Sequence, residues 1–524
     1  MNVGEYHPQS DLLTGLRRME PLPLLPWDDY YMAMAQTDYM CNTHLDQVSK
    51  TFFIREAPFG GSYALLGGLT AFIRIINDYR FNASVANALT EQGYETEFIK
   101  YLIHEHSRLS IKIFAPPEGS VILPHEPAIV MEGDKLSLRI AEGILLREVN
   151  FPTLSLTKWH RIVMAAGPGS TLEFARRRAQ DDLRTSLYAH LGGCKFSSNS
   201  NIRCGFDIPI RGTMGHEWIQ SIGDEYQAFD IWLAVNPRKP VLLVDTIDTL
   251  RSGVPNAIRA FKKHEEQIKA SNGVFGIRLD SGDLAYLSIE ARRMLDEAGL
   301  SQVLIYMTND LDEYLIQSIR EQIFTYAQRA GLDPVSMIAR IVWAAGTRPG
   351  TCFEQPSLGG VAKLTSIERA VFDTDSEEPK MVQKAVIKLA GDNVVKTSIP
   401  GSNRSTFVWH GNDLVCCVVH GREESPALDQ DIVYSINDIT KFIGLDDPSY
   451  RFEPRQKLMY DSLTTDIAPS QSLEQVRSHV KAETERLHWT HKRFEKPHSI
   501  KLSLSRHVFT LRQKLIKDGR LIEE

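Results

Sequence analysis

The sequence predicts an α/β protein built around a parallel α/β barrel, and three observations point there. Short apolar segments, Val241–Val244, Gly276–Leu279, Val303–Tyr306 and Ile341–Ala344, recur at intervals of about 25–40 residues, as parallel strands joined by crossovers do. Helical patterns such as Pro255–Lys269 and Leu284–Ala298 fill the gaps. Each apolar segment runs into a polar cluster: Asp245-Thr246, Asp280-Ser281-Gly282-Asp283, Thr308-Asn309-Asp310 and Gly346-Thr347-Arg348. The carboxyl ends of parallel strands meet on one face, so these clusters are candidates for one shared site.

In chain order, residues 1–26 are punctuated by prolines and read as an N-terminal arm. Residues 27–140 alternate helical periodicity (Leu65, Leu69, Phe72, Ile73, Ile76) with short apolar runs, as an N-terminal α/β domain would. Within it, the uncharged stretch from Ala57 to Ile73 holds Gly60, Gly61, Gly67 and Gly68 and reads as a turn entering a packed helix, not as a membrane span. Residues 141–370 form the barrel domain, opened by a helix over 140–165. Residues 371–524 return to the N-terminal domain: an acidic exposed loop over 373–378, then strands, then amphipathic C-terminal helices with Val476, Val480 and Leu487 on the apolar face.

Composition removes several classes. The chain has 524 residues, 43% apolar and 24% charged, enough for two or three domains with real cores. A formal net charge of -7 argues against a broad nucleic-acid footprint and confines any anion site to a local basic pocket. The first residues show no cationic start followed by an apolar core, so a cytoplasmic protein without a membrane partner is expected. Six cysteines with no C-x-x-C pair argue against a disulfide scaffold or zinc ribbon and for reduced, mostly buried thiols. Zincin, phosphate-loop and G-x-S-x-G signatures are absent.

Eight segments in order then resemble one family. They are Asp28-x-Tyr30-x-x-x-Met34, Arg55 to Tyr63, Glu173 to Gln180, Ser197-Ser198-Asn199, Gly212-Thr213-Met214-Gly215-His216-Glu217-Trp218, Arg278 to Leu284, Gly346-Thr347-Arg348 and Ser357 to Leu364. Together they resemble the nicotinate phosphoribosyltransferases. The resemblance implies a type II phosphoribosyltransferase fold, with an N-terminal α/β domain packed on an irregular α/β barrel. It also implies a homodimer in which one subunit closes the other's active site. The reaction implied joins nicotinate to the phosphoribosyl group of phosphoribosyl pyrophosphate, with Mg²⁺, and is coupled to ATP through a phosphohistidine at His216.

The same resemblance distributes the remaining roles. Tyr30 and Phe174 sandwich the pyridine ring, Tyr30 coming from the partner. Arg278, a planar fork, takes the nicotinate carboxylate. Asp280 and Asp283 serve the ribose hydroxyls or Mg²⁺, Asp283 being the candidate metal ligand, although either aspartate could instead cap the helix that follows. Thr213 supports the bound base or phosphate. Arg55 and Arg177 form a phosphate clamp, while Arg176 and Arg178 read as exposed charges. Gly346, Thr347, Gly359, Gly360 and Lys363 are assigned to the 5'-phosphate, with Lys396 a weaker candidate for the ATP site. Ser198 stands where nicotinamide-using relatives place an aspartate that would repel nicotinate, and so favours the acid substrate. Ala175, Ser197 and Gly215 depart from the family's usual glycine, threonine and alanine. The alternatives are a nicotinamide phosphoribosyltransferase and a catalytically silent relative acting as a binding protein.

Overall fold

The computed structural model describes residues 11–371, 380–389, 397–425, 432–436, 438, 440–464 and 466–520. The chain divides into two compact units, one spanning Ser155–Pro356 and the other combining Asp11–Leu154 with Ser357–Glu524. The expected acidic loop over 373–378 and Lys396 lie outside the described residues.

The first unit is the parallel one. Its sheet has six strands in the order Phe196–Ser197, Ser170–Glu173, Ile341–Ala345, Leu304–Met307, Gly276–Leu279 and Val241–Leu243. Every neighbouring pair is parallel. This half-barrel is the α/β architecture that the strand rhythm predicted. The strands are short and apolar, and Val241–Leu243 and Ile341–Ala345 are buried along their whole length, as strands covered on both faces must be. Val254–Ala270 and Leu284–Glu297 are the crossover helices, each within a residue of its expected end. Two strands escaped the sequence reading. Phe196–Ser197 has two residues, and Ser170–Glu173 ends in a carboxylate that breaks the apolar pattern.

The second unit is mainly antiparallel, with Asp413–Gly421 and Leu502–Leu504 paired in parallel. A seven-stranded sheet runs in the order Lys380–Ala385, Gly360–Val371, Gln47–Ile54, Ile129–Asp134, Ile111–Ala115, Lys457–Asp461 and Asp466–Ile467. It joins segments far apart in sequence, because Gln47–Ile54 pairs with both Gly360–Val371 and Ile129–Asp134. A six-stranded sheet centred on Asp413–Gly421 and Asn403–His410 packs with the terminal helix Arg506–Arg520, where Phe509 stacks on Tyr434 at 4.4 Å. Val476, Val480 and Leu487 are buried, as expected of the apolar face.

Part of the expected arm is ordered. Leu12–Met19 is a helix capped by the Asp11 carboxylate, which accepts from the Thr14 N–H at 2.8 Å, and it buries Leu12 and Leu16 one turn apart. The flanking prolines masked this short period. All six cysteines are free and four are buried. Among the described residues no helix is long and apolar enough to cross a membrane.

Candidate active site

The carboxyl ends of the parallel strands bring the predicted clusters together. Arg278 is paired in register with Leu243 on one side and Tyr306 on the other, so the residues that follow those strands reach it directly. Its Nε donates to Thr308 Oγ1 at 3.2 Å, Nη1 to Thr213 Oγ1 at 3.0 Å, and Nη2 to the Asp280 carboxylate at 2.7 Å. The guanidinium lies 5.5 Å from the Phe174 ring centroid. Nη1 also donates to Met214 O at 3.4 Å, so of the five N–H donors of a guanidinium one, on Nη2, remains for an incoming carboxylate held beside Phe174.

Asp280 links this network to His216. The Thr308 hydroxyl also donates to Asp280, and the other Asp280 oxygen faces His216 Nε2 at 3.5 Å. Burial works against the Asp280 charge, but Thr308, Arg278 and His216 outweigh it and hold the carboxyl below its usual range. His216 opens the short helix His216–Ile222, and its Nδ1 lies 3.0 Å from Thr246 Oγ1. Asp245, beside Thr246, accepts from the Asp280 N–H and the Ser281 hydroxyl, both at 2.8 Å. Thr246 and Thr308 belonged to the predicted strand-end clusters, but nothing in the sequence singled them out as partners of His216 and Arg278. The loop after Thr308 holds Asn309 and Asp310 at positive φ (96° and 43°).

Other predicted residues of this unit fall into three groups. Phe174, Ser198 and Gly346 sit at strand ends. Phe174 N–H donates to Ala345 O at 2.8 Å and Ser198 N–H to Glu173 O at 2.9 Å, while a Cβ on Gly346 would lie 2.9 Å from Phe174 O. Thr347 begins a four-residue helix next to Gly346. Asp283 is the N-cap of Leu284–Glu297 and accepts from the Tyr286 N–H at 3.0 Å, so the capping role is present in the fold. Arg177 is exposed in a turn, and the neighbouring Arg176 reaches Asp182 at 3.4 Å.

Glu173 was missed as an individual residue. Fully buried, its carboxylate accepts from the Ser197 hydroxyl at 2.5 Å, from the Ser186 hydroxyl at 2.9 Å and from the Ala175 N–H. Burial pushes its carboxyl above the usual range against these bonds. Glu173 thus ties together the backbone on both sides of Phe174 and the segment that carries Ser198. Only its position in the motif marked it.

The other unit holds the remaining candidates. Gly360 begins the strand that pairs with Gln47–Ile54, Lys363 lies opposite Thr51, and Arg55 follows Ile54. Burial, and then Lys388 and Arg55, hold the Lys363 amine below its usual value against the pull of Glu142. Tyr30, on the helix Asp29–Met40, is 53% exposed while the adjacent Tyr31 is 2% exposed, their rings 4.1 Å apart. An exposed tyrosine beside a buried one is available to another surface.

Comparison with known proteins decides the family. The nicotinate phosphoribosyltransferase N-terminal domain matches residues 25–150, and the C-terminal domain of the same family matches residues 419–512. The nicotinate phosphoribosyltransferase of Bacillus subtilis is 36% identical over 384 residues, covering 72% of this chain and 71% of that protein. The chain belongs to the nicotinate phosphoribosyltransferase family. The human nicotinate phosphoribosyltransferase is 28% identical over 490 residues, covering 78% of this chain and 86% of that protein. The crystal structure of human nicotinic acid phosphoribosyltransferase aligns with a TM-score of 0.74 over 93% of this chain and 99% of that one, at 23% identity. That likeness establishes the type II phosphoribosyltransferase fold. As a nicotinate phosphoribosyltransferase family member the chain is an enzyme, as the order of its motifs implied.

Proposed function

We propose that this enzyme transfers the phosphoribosyl group of phosphoribosyl pyrophosphate to the ring nitrogen of nicotinate in the cytoplasm, the first step of NAD biosynthesis from nicotinate, and that ATP is coupled to the transfer through His216. The observation that carries this reading is the continuous network from Thr246 through His216 and Asp280 to Arg278, which joins a nucleophile to a carboxylate-binding fork.

With its proton on Nε2 facing Asp280, His216 keeps the Nδ1 lone pair, accepting for the moment from Thr246. That lone pair attacks the γ-phosphorus of ATP, the bond to the bridging oxygen breaks, and ADP leaves. Asp280 stabilises the cationic ring, and water later returns the phosphoryl group as inorganic phosphate. Arg278 orients the nicotinate carboxylate while the ring lies against Phe174. Ser198, at the position where nicotinamide-using relatives place an aspartate, adds no further carboxylate to repel nicotinate. Phosphates fall to Gly346, Thr347, Arg177, Arg55, Gly359, Gly360 and Lys363. The carboxylate oxygens of Asp280 or Asp283 would suit a Mg²⁺ that takes most of its ligands from pyrophosphate, since among the described residues no group of three or more His, Cys, Asp or Glu side chains is placed to hold an ion by itself. When bound, the ion would neutralise leaving-group charge. The exposure of Tyr30 supports a homodimer in which it reaches the partner's ring-binding site.

The test is product formation from phosphoribosyl pyrophosphate and Mg²⁺ with nicotinate or nicotinamide, with and without ATP, alongside His216→Ala. Nicotinate turnover raised by ATP, with acid-labile phosphate on wild type only, is expected. Turnover of nicotinamide alone, or labile phosphate persisting in His216→Ala, overturns the reading.

A further inference from the structure

A carboxylate is buried without a cation directly behind the residues assigned to the pyridine ring. Glu173 closes the strand Ser170–Glu173 and is fully buried, and among the described residues no Lys, Arg or His pairs with it. Its partners are neutral: Oε2 accepts from the Ser197 hydroxyl at 2.5 Å and faces the Ser186 hydroxyl at 2.9 Å, while Oε1 accepts from the Ala175 N–H. Burying a carboxylate with no counter-charge costs more than burying an apolar side chain of similar size, so packing alone does not account for it. What the carboxylate does is join three segments: the turn after its own strand, the strand Phe196–Ser197 and the helix Asp182–Leu191.

Strand pairing shows on which side of the sheet this anchor lies. In parallel register Leu172 is opposite Phe196 and Glu173 opposite Ser197. Successive side chains of a strand point to opposite faces. Leu172, Phe174 and Phe196 accordingly pack together with Tyr306 and Val342, on the side where the Arg278 guanidinium lies 5.5 Å from the Phe174 centroid. Glu173 and Ser197 point the other way, towards Ser186. Phe174 and Ser198 therefore each follow one member of the buried Glu173–Ser197 pair. Their backbone is fixed by the same group of contacts: Phe174 N–H donates to Ala345 O at 2.8 Å and Ser198 N–H to Glu173 O at 2.9 Å, and on the far sides lie the Ala175 N–H, held by Glu173, and the Asn199 N–H, which donates to Ser197 Oγ at 3.0 Å. Asn199 Nδ2 donates to Ser186 Oγ at 3.1 Å and closes the network.

We propose that Glu173 is a positioning residue for nicotinate, which holds Phe174 and Ser198 in the arrangement that receives the ring while itself lying on the opposite face of the sheet. Losing the carboxylate frees the Ala175 N–H beyond Phe174 and the Ser197 hydroxyl before Ser198, so both residues lose a neighbouring anchor at once. Arg278 and His216 are held through Thr213, Thr246 and Thr308 and not through Glu173, so the effect is confined to the base. The inference rests on the assignment of Phe174 and Ser198 to the nicotinate ring.

Steady-state kinetics of the full-length enzyme test it, with nicotinate and phosphoribosyl pyrophosphate varied in turn for Glu173→Ala, Glu173→Gln, Ser197→Ala and Phe174→Ala. Glu173→Ala should raise the nicotinate KM by roughly tenfold or more and leave the KM for phosphoribosyl pyrophosphate within about twofold of wild type. Glu173→Gln should recover part of the loss, because its amide oxygen can still accept the Ala175 N–H while its NH₂ faces the serine oxygens. Ser197→Ala removes one donor without emptying the site, so it should shift the nicotinate KM in the same direction by less, and it decides the matter if Glu173→Ala does not fold. Equal rises in both KM values would show a general structural role and overturn the proposal. Wild-type nicotinate KM in the Glu173 and Ser197 variants, with Phe174→Ala impaired, sinks this inference while the ring assignment stands; if Phe174→Ala is also unimpaired, both fall.

Discussion

The two units treat charge in opposite ways. In the parallel unit, Arg278, Asp280 and His216 neutralise and orient one another through threonine hydroxyls, so the site is organised before any substrate arrives. In the antiparallel unit, burial, then Lys388 and Arg55, hold the Lys363 amine below its usual value, and Arg55 leaves a buried Nε without an acceptor. The first arrangement suits a small acid that must be placed precisely, and the second suits a polyanion that brings its own charge. Electrostatic preorganisation and phosphate capture are thus built from different local rules on the same chain.

The contrast breaks most visibly at Arg278. Arg278→Ala removes the one cation that spans Thr213, Thr308 and Asp280, and it leaves Asp280 with no guanidinium partner. A charge-assisted hydrogen bond contributes about 1.5–3 kcal/mol, which corresponds to a rise in the nicotinate KM of roughly 10- to 100-fold. Steady-state kinetics with nicotinate and phosphoribosyl pyrophosphate varied in turn should place the effect on nicotinate. An unchanged nicotinate KM would remove Arg278 from the carboxylate site.

How much of this could be read beforehand depended on the kind of contact. The crossover rhythm foretold the parallel half, because buried parallel strands must be apolar and must alternate with helices. It also put Arg278, Asp280 and the Thr308 cluster on one face, since that face is a property of the topology. The partners within the face could not be read: Thr246 meets His216 across 30 residues and Arg278 meets Thr213 across 65, distances at which sequence patterns carry no geometry. Glu173 looked like the end of a motif, whereas its role comes from Ser186 and Ser197, which reach it only once three segments fold together. In the antiparallel unit the strand pairing of residues 47–54 with 360–371 was equally hidden, and with it the neighbourhood of Arg55 and Lys363.

The predicted phosphate glycines offer a smaller test of the antiparallel unit. A Cβ on Gly360 would lie 2.2 Å from Asn150 Oδ1 and 2.7 Å from the Phe52 ring, whereas a Cβ on Gly359 would meet nothing within 4 Å. Gly360→Ala should therefore cost about 1–3 kcal/mol through overpacking, and Gly359→Ala should leave stability nearly unchanged. Urea denaturation of both variants measures this directly. If Gly359→Ala keeps its stability but raises the KM for phosphoribosyl pyrophosphate, the open glycine borders the ligand and its neighbour is a packing residue. Equal stability losses in the two variants would show that the strand start is constrained as a whole.

The smallest effect probes the neutralised network itself, through pH. The Asp280 carboxyl titrates below its ordinary value near 3.8 in the folded protein, because the Thr308 bond, Arg278 and His216 outweigh burial. As pH falls, the unfolded chain takes up this proton first, so the stability contributed by the ionised carboxylate is complete above the unfolded value and is lost as pH drops towards the folded one. The stability difference between Asp280-containing protein and Asp280→Asn should therefore be level above pH ~5 and shrink below pH ~4. Measuring both in a His216→Ala background keeps the histidine's own titration out of the comparison. Denaturant midpoints at a series of pH values then isolate the carboxylate. A difference that stays constant down to the lowest pH at which the protein folds would mean that Asp280 gains nothing from Arg278 and Thr308, and the organised site would have to be rebuilt around His216 and Thr246 alone.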